Sequence, residues 1–213
     1  GLAITRCFAP SWRVRTTDSV GATAALLRYR FCDPSAWKES IVKILLIGAG
    51  GVGSAFCSIA ARRDFFERVV VADYALASAE RAVAAVDDPR FTAAQVDASS
   101  ADSVAELARS TGATHVMNAV DPRFVIPIFD GAFAAGADYL DMAMSLSHPH
   151  PEKPYEQPGE KLGDYQFAKA GEWERAGRLA LVGIGVEPGL SNVFARYAAD
   201  HLFSEIDELA TRD

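Results

Sequence analysis

The segment Gly48-Ala49-Gly50-Gly51-Val52-Gly53 narrows the choice of fold more than any other part of the chain. It reads G-x-G-x-x-G. It stands between a short apolar run, residues 44–47, and a stretch with helical apolar spacing, residues 52–62. A strand that turns directly into a helix through such a loop is the phosphate-binding turn of the doubly wound α/β fold. The first glycine permits the tight turn, the second lets backbone approach a pyrophosphate, and the third allows close helix–strand packing. The start of the helix then offers unpaired N–H groups and the positive end of its dipole. Gly48, Gly50, Gly51, Val52 and Gly53 are therefore candidate cofactor contacts.

The rest of the chain alternates in the way this fold requires. Apolar runs predict strands at 44–47, 69–72, 91–96, 115–120, 139–142 and 179–182, each bounded by polar or glycine-containing turns. Helical patterns fall between and after them, at 52–62, 75–86, 100–110, 123–135, 165–176 and 190–202. In the first helix Val52, Ala55, Phe56 and Ile59 share a face and are expected to pack on the sheet, with Cys57 a small buried apolar residue. Six apolar strands alternating with helices imply a parallel sheet covered on both faces, an α/β doubly wound architecture. Residues 148–163 hold Pro149, Pro151, Pro154 and Pro158 and read as a loop.

Charge divides the chain near residue 42. The net charge is −7, yet residues 1–42 carry six Lys/Arg against three Asp/Glu, which leaves −10 on residues 43–213. Residues 1–42 show no clean period and are expected to lie outside the fold; residues 43–190 form the dinucleotide-binding domain. Residues 191–213 are expected to be a crossover helix and the first strand, 206–212, of a second α/β domain that is cut short. The acidic balance argues against a nucleic-acid partner. No uncharged apolar stretch reaches the 18 residues that would suggest a membrane span. Cys7, Cys32 and Cys57 fit neither a disulfide framework nor a metal spacing, which suits a reducing cytoplasm. His148 and His150 lack further ligands nearby, so no metal is expected.

Other candidates stand at the carboxyl ends of the expected strands, where ligands bind in this fold. Asp73 ends the second strand, twenty residues beyond Gly53, where a carboxylate can accept from the adenosine ribose hydroxyls. It would repel a 2′-phosphate, and residues 74–78 hold no Arg or Lys to pair with one. NAD is therefore favoured, with NADP as the alternative. Asp97 and Ala98 follow the third strand beside the expected adenine, although Asp97 also reads as a plain loop residue. Asn118, Ala119 and Val120 end the fourth strand, where small residues leave room for cofactor and the Asn118 amide could orient it. Asp121 reads as a cap of the helix after Pro122. Asp141, near the end of the fifth strand, is the catalytic candidate: it could meet a substrate amine, or it could bond to loop backbone. Beyond the sixth strand, two glycines, a proline and another glycine in residues 183–189 demand an unusual backbone before a helix.

Gly185-Val186-Glu187-Pro188-Gly189-Leu190-Ser191-Asn192 resembles the G-[LFV]-[DE]-P-G motif of the saccharopine dehydrogenase family, which includes saccharopine reductases and carboxynorspermidine dehydrogenases. Asn118-Ala119-Val120 and Tyr139-Leu140-Asp141 resemble its patterns too, so the likeness runs from about residue 42 to 213. It implies a Rossmann domain followed by a second α/β domain that completes the substrate site. It also implies reversible oxidation of a secondary amine to an imine on a small amino-acid-like substrate, and is compatible with a homodimer. Met142-Ala143-Met144-Ser145 departs from the Thr or Ser that often follows the strand-five Asp. Two other readings remain: a non-enzymatic dinucleotide-sensing module, and a short-chain-type carbonyl reductase. The latter wants a Tyr-x-x-x-Lys pair, which Tyr165 and Lys169 supply formally, although no suitably placed Ser accompanies them.

Overall fold

The computed structural model describes residues 41–186, 189–208 and 210. Its six strands are β1 (Lys43–Ile47), β2 (Arg68–Asp73), β3 (Phe91–Gln95), β4 (His115–Asn118), β5 (Asp138–Asp141) and β6 (Ala180–Leu181). They form one parallel sheet in the order β3-β2-β1-β4-β5-β6. The helices are α1 (Gly51–Ala60), α2 (Leu76–Ala84), α3 (Ala101–Ser110), α4 (Val125–Ala135), α5 (Asp164–Ala168), α6 (Ala170–Arg175) and α7 (Leu190–His201). The order reverses between β1 and β4, and that switch point opens the crevice in which ligands bind.

The apolar runs are buried on both sides, as parallel strands covered by helices must be. Leu45 and Ile47 of β1 face a core built with Val104 and Ala108 of α3, Ile128 and Phe129 of α4, and Trp173 of α6. Ile44 and Leu46 face the opposite core, with Cys57 and Ala60 of α1, Ala79 and Ala82 of α2, Phe66 and Phe91. The Phe129 and Trp173 rings lie 4.8 Å apart, and Tyr139 meets Phe129 edge-on at 5.2 Å. Burial pushes the Cys57 thiol up to about 11, so it behaves as the small inert apolar residue the sequence predicts.

Several expectations are corrected. The sheet side of α1 consists of Gly53, Cys57 and Ala60, with Phe56 of the expected face packed against the same core, while Val52 and Ile59 are 51% and 52% exposed. The cause is Gly53. A Cβ there would run into the Gly48 carbonyl oxygen, so this position alone can face the loop closely, and it fixes the rotation of the helix. The helix expected at 165–176 is broken at Lys169 into α5 and α6. The helix after Pro122 opens with a 3-10 turn, Pro122–Phe124, capped by the Asp121 carboxylate, which accepts from Arg123 N at 2.9 Å. No strand forms among the described residues of 206–212, which have no neighbouring strand to complete a ladder. Residues 1–40 lie outside the described residues, and with them nearly all of the stretch expected to be a leader.

Candidate functional site

The glycine loop sits at the carboxyl edge of the sheet. Gly48 N donates to Ala72 O at 2.7 Å, tying the loop to β2 as it leaves β1. Gly48 has φ +107°, and a Cβ there would come within 2.6 Å of Ala119 O and of Val120 Cγ1. This residue must be glycine for both conformation and space. Gly50 and Gly51 differ. A Cβ on either would meet nothing within 4 Å, so the space above the start of α1 is open. That is the form of a cradle: two glycines closing the turn, and two baring backbone to whatever lies over the helix N-terminus.

Asp73 is drawn into this loop. Its Oδ2 accepts from Ala49 N at 2.9 Å and its Oδ1 from Ala75 N at 3.0 Å. Each carboxylate oxygen has a second lone-pair direction left for ribose hydroxyls. The turn after Asp73 is uncharged, yet Arg81 of α2 reaches back and donates to Ser78 Oγ at 2.9 Å.

Asp97 is engaged locally. Its Oδ1 accepts from Ser99 N at 2.9 Å and Ser99 Oγ at 2.6 Å, and these bonds hold its carboxyl below the usual range. The loop-residue reading accounts for these contacts, and Ala98 packs against the core below it. His150 Nδ1 accepts from Glu152 N and Lys153 N, and no group of metal-ligating side chains occurs among the described residues.

Across the switch point, a cavity of about 200 Å³ is lined by Val52, Asn118, Ala119, Val120, Asp141, Met142 and Ala143. Asn118, Ala119 and Val120 thus share the cavity lining with Val52 of the glycine loop. Asp141 stands at the wall of this cavity, but it is 1% exposed and its oxygens are occupied. Gly183 N donates to Oδ1 at 2.5 Å, while Tyr139 Oη and Gln166 Nε2 each donate to Oδ2 at 2.8 Å. The bond to loop backbone, one of the two readings of Asp141, is made by Gly183 N. Burial pushes its carboxyl above the usual carboxylate range, against the pull of these three donors.

The sequence marks Tyr139 only as part of the Tyr139-Leu140-Asp141 resemblance, with no role of its own, and does not mark Gln166. Tyr139 is two residues before Asp141, on the same side of a strand, a signal that was there to be read. Gln166 lies in a polar helix after the Pro-rich loop, and nothing in its neighbourhood marks it. Tyr165 and Lys169 do meet, with Lys169 Nζ 2.6 Å from Tyr165 Oη, but both also bond to Asp130 of α4. None of the three lines the cavity.

The segment beyond β6 bends as its glycines allow. Gly183 has φ +67° and Gly189 has φ +141°, and a Cβ on Gly189 would strike the Gly185 carbonyl oxygen. Glu187 and Pro188 lie outside the described residues. α7 starts at once after Gly189, whose N–H donates to Asn192 Oδ1 at 2.9 Å.

Comparison with known proteins agrees with this architecture. The chain is 31% identical over 171 residues to a carboxyaminopropylagmatine dehydrogenase of Synechocystis, covering 79% of this chain and 40% of that protein. It is 30% identical over 181 residues to a carboxynorspermidine synthase of Vibrio cholerae, covering 81% and 43%. The chain therefore spans less than half the length of these relatives. An apo saccharopine dehydrogenase (L-Glu forming) from Saccharomyces cerevisiae superposes with a TM-score of 0.55 at 19% identity, over 76% of this chain and 31% of that one, which shows a shared fold. Residues 44–181 match the family described as the Saccharopine dehydrogenase NADP binding domain, and the chain belongs to the saccharopine dehydrogenase family.

Proposed function

We propose that this chain is the cofactor-binding part of an NAD(H)-dependent oxidoreductase that interconverts a secondary amine and its imine on an amino-acid-like substrate. The observation that supports this most is the open cradle over Gly50 and Gly51, placed between Asp73 and the cavity walled by Asn118, Ala119 and Val120. The residues present fit a dinucleotide, because side chains are absent where a pyrophosphate needs backbone contact. The N–H groups at the start of α1 would hold the diphosphate, and Asp73 would orient the adenosine ribose. The small residues ending β4 would leave room for the nicotinamide. The dinucleotide supplies the hydride acceptor or donor. When bound, it would take a hydride from the carbon beside the amine nitrogen, with the nitrogen proton released to solvent, so that amine and imine differ by one hydride and one proton.

The family and the names of the relatives favour a carboxylated amine as substrate. Saccharopine and carboxylated polyamines both carry a secondary amine beside a carboxylate, and either would need residues beyond those that line this cavity. NADH is the expected cofactor. Asp73 is held in place by two backbone N–H groups, so a 2′-phosphate would face a fixed negative charge. The family's NADP description and Arg81 beside Ser78 favour the alternative cofactor.

The test is calorimetric titration with NADH and NADPH, followed by an assay at 340 nm with saccharopine and carboxynorspermidine. The expected result is binding of NADH with no turnover by this chain alone, and turnover by a full-length homologous enzyme. Hydride transfer needs the substrate carbon about 3–3.5 Å from the nicotinamide, and losing that positioning removes about 7–11 kcal/mol of barrier lowering. Failure to bind either dinucleotide would overturn the reading.

A further inference from the structure

We propose that Tyr139, Asp141 and Gln166 are positioning residues for the nicotinamide end of the cofactor: they lock the Asn118 carboxamide at the cavity wall and tie it to the loop that follows β6. The inference rests on the cavity being the dinucleotide site.

The hydrogen bonds form one chain with a single direction. Asn118 Oδ1 accepts from Val120 N at 3.1 Å, and Asn118 Nδ2 donates to Tyr139 Oη at 3.1 Å. Flipping the amide would set a donor against the Val120 N–H, so its orientation is fixed from both ends. Tyr139 Oη, having accepted, has one proton to give, and gives it to Asp141 Oδ2 at 2.8 Å. Gln166 Nε2 donates to the same oxygen at 2.8 Å, and Gln166 Oε1 accepts from Ser145 N at 2.9 Å. The Ser145 N–H can only donate, so the Gln166 amide cannot flip either. Gly183 N donates to Asp141 Oδ1 at 2.5 Å, and Ile184 N donates to the Asp141 main-chain oxygen at 3.0 Å.

The Tyr139 and Gln166 donors thus converge on Asp141 Oδ2, which completes the chain as its acceptor. Burial makes this demanding. Asn118, Asp141 and Gln166 are all buried, and so is Tyr139. Such a network adds little stability over an apolar core, but when fully satisfied it holds one geometry. Here it joins four elements, β4, β5, α5 and the stretch after β6, at the edge where the cavity opens.

The network also stands on one side of the switch point. Asp73 and the loop tie at Ala49 belong to the β1–β2 half of the sheet, which takes the adenosine in this fold. Asn118 and Asp141 belong to the β4–β5 half. A change in the network should therefore be felt by the nicotinamide and not by the rest of the cofactor. A merely structural role would weaken both halves together.

The experiment titrates wild-type, Tyr139→Phe and Gln166→Met proteins with NADH and with ADP-ribose, which lacks the nicotinamide, and records melting temperatures alongside. Tyr139→Phe leaves the Asn118 N–H without its acceptor and is expected to weaken NADH about tenfold, or about 1.4 kcal/mol, while ADP-ribose stays within about twofold. Gln166→Met, away from the cavity, is expected to shift NADH in the same direction by a smaller factor, and it carries the comparison if Tyr139→Phe does not fold. Equal losses for the two ligands, or no loss of NADH affinity, would overturn the proposal while leaving the cofactor site intact. Wild-type protein that binds neither ligand would overturn both.

Discussion

Asp73 Oδ2 accepts the Ala49 N–H at 2.9 Å, joining the end of β2 to the middle of the glycine loop across 24 positions of sequence. One carboxylate thereby shapes the loop and, in the proposed function, would also accept from the adenosine ribose. Asp73→Ser should weaken NADH by about tenfold to a hundredfold, the range for losing a charged hydrogen bond. It should weaken NADPH less, because the repulsion disappears with the charge. The ratio of the two dissociation constants is the readout. A ratio that stays constant would show that Asp73 acts through the loop alone.

Gly50 and Gly53 should respond in opposite ways. Gly50→Val places its side chain in open space and should leave the melting free energy within about 1 kcal/mol. It should also abolish detectable dinucleotide binding by filling the cradle. Gly53→Ala drives a methyl group into the Gly48 carbonyl and should destabilise the fold by about 1–3 kcal/mol, as overpacking does. Urea denaturation and calorimetry on both variants separate the effects. Retained binding in Gly50→Val would count against the cradle.

Asp141 should leave a mark on the pH dependence of stability. Burial raises its folded carboxyl above the ordinary value of 3.8, so the folded state holds the proton more tightly than the unfolded chain. Stability from this group is present below the unfolded value and declines as pH rises through the folded one. Asp141→Asn removes that slope. The melting-temperature advantage of wild type over this variant should be largest near pH 4 and shrink toward neutral pH. A difference that grows with pH would contradict the assignment.

Lys169, Tyr165 and Asp130 should matter for packing and not for cofactor. Lys169→Met removes an ion pair 2.7 Å long whose members are about one-third exposed, so the stability change should be about 0–1 kcal/mol. NADH affinity should stay within about twofold. A large loss of NADH affinity would revive the short-chain reductase reading, in which this pair works beside the nicotinamide.

The sheet was legible because each strand is an apolar run between turn residues, and the loop because its glycines follow a strand. The face of α1 was misread for a physical reason. Val52, Ala55, Phe56 and Ile59 have the better apolar spacing, and of these Phe56 does reach the core, but the rotation of α1 is decided by steric contact at Gly53, which hydropathy does not register. The break falls at Lys169, whose bond to Asp130 connects residues 39 positions apart, a contact that local sequence pattern does not carry. The role of Gln166 has no local signal, since both of its partners stand on other elements, whereas Tyr139 shares a strand face with Asp141.

The rotation of α1 couples the inside of the domain to its outside. Gly53 must face the Gly48 carbonyl, so Val52 and Ile59 must face away, whatever the composition of that side. The outward stripe cannot be hidden by turning the helix without losing the loop. In a lineage that keeps the glycine fingerprint, then, substitutions at 55 and 59 are free to track the surroundings of the domain, while 52 answers to the cavity it lines and 53, 57 and 60 are held to the sheet. Divergence among relatives should accordingly run in two phases along a single helix, offset by about one residue in each turn.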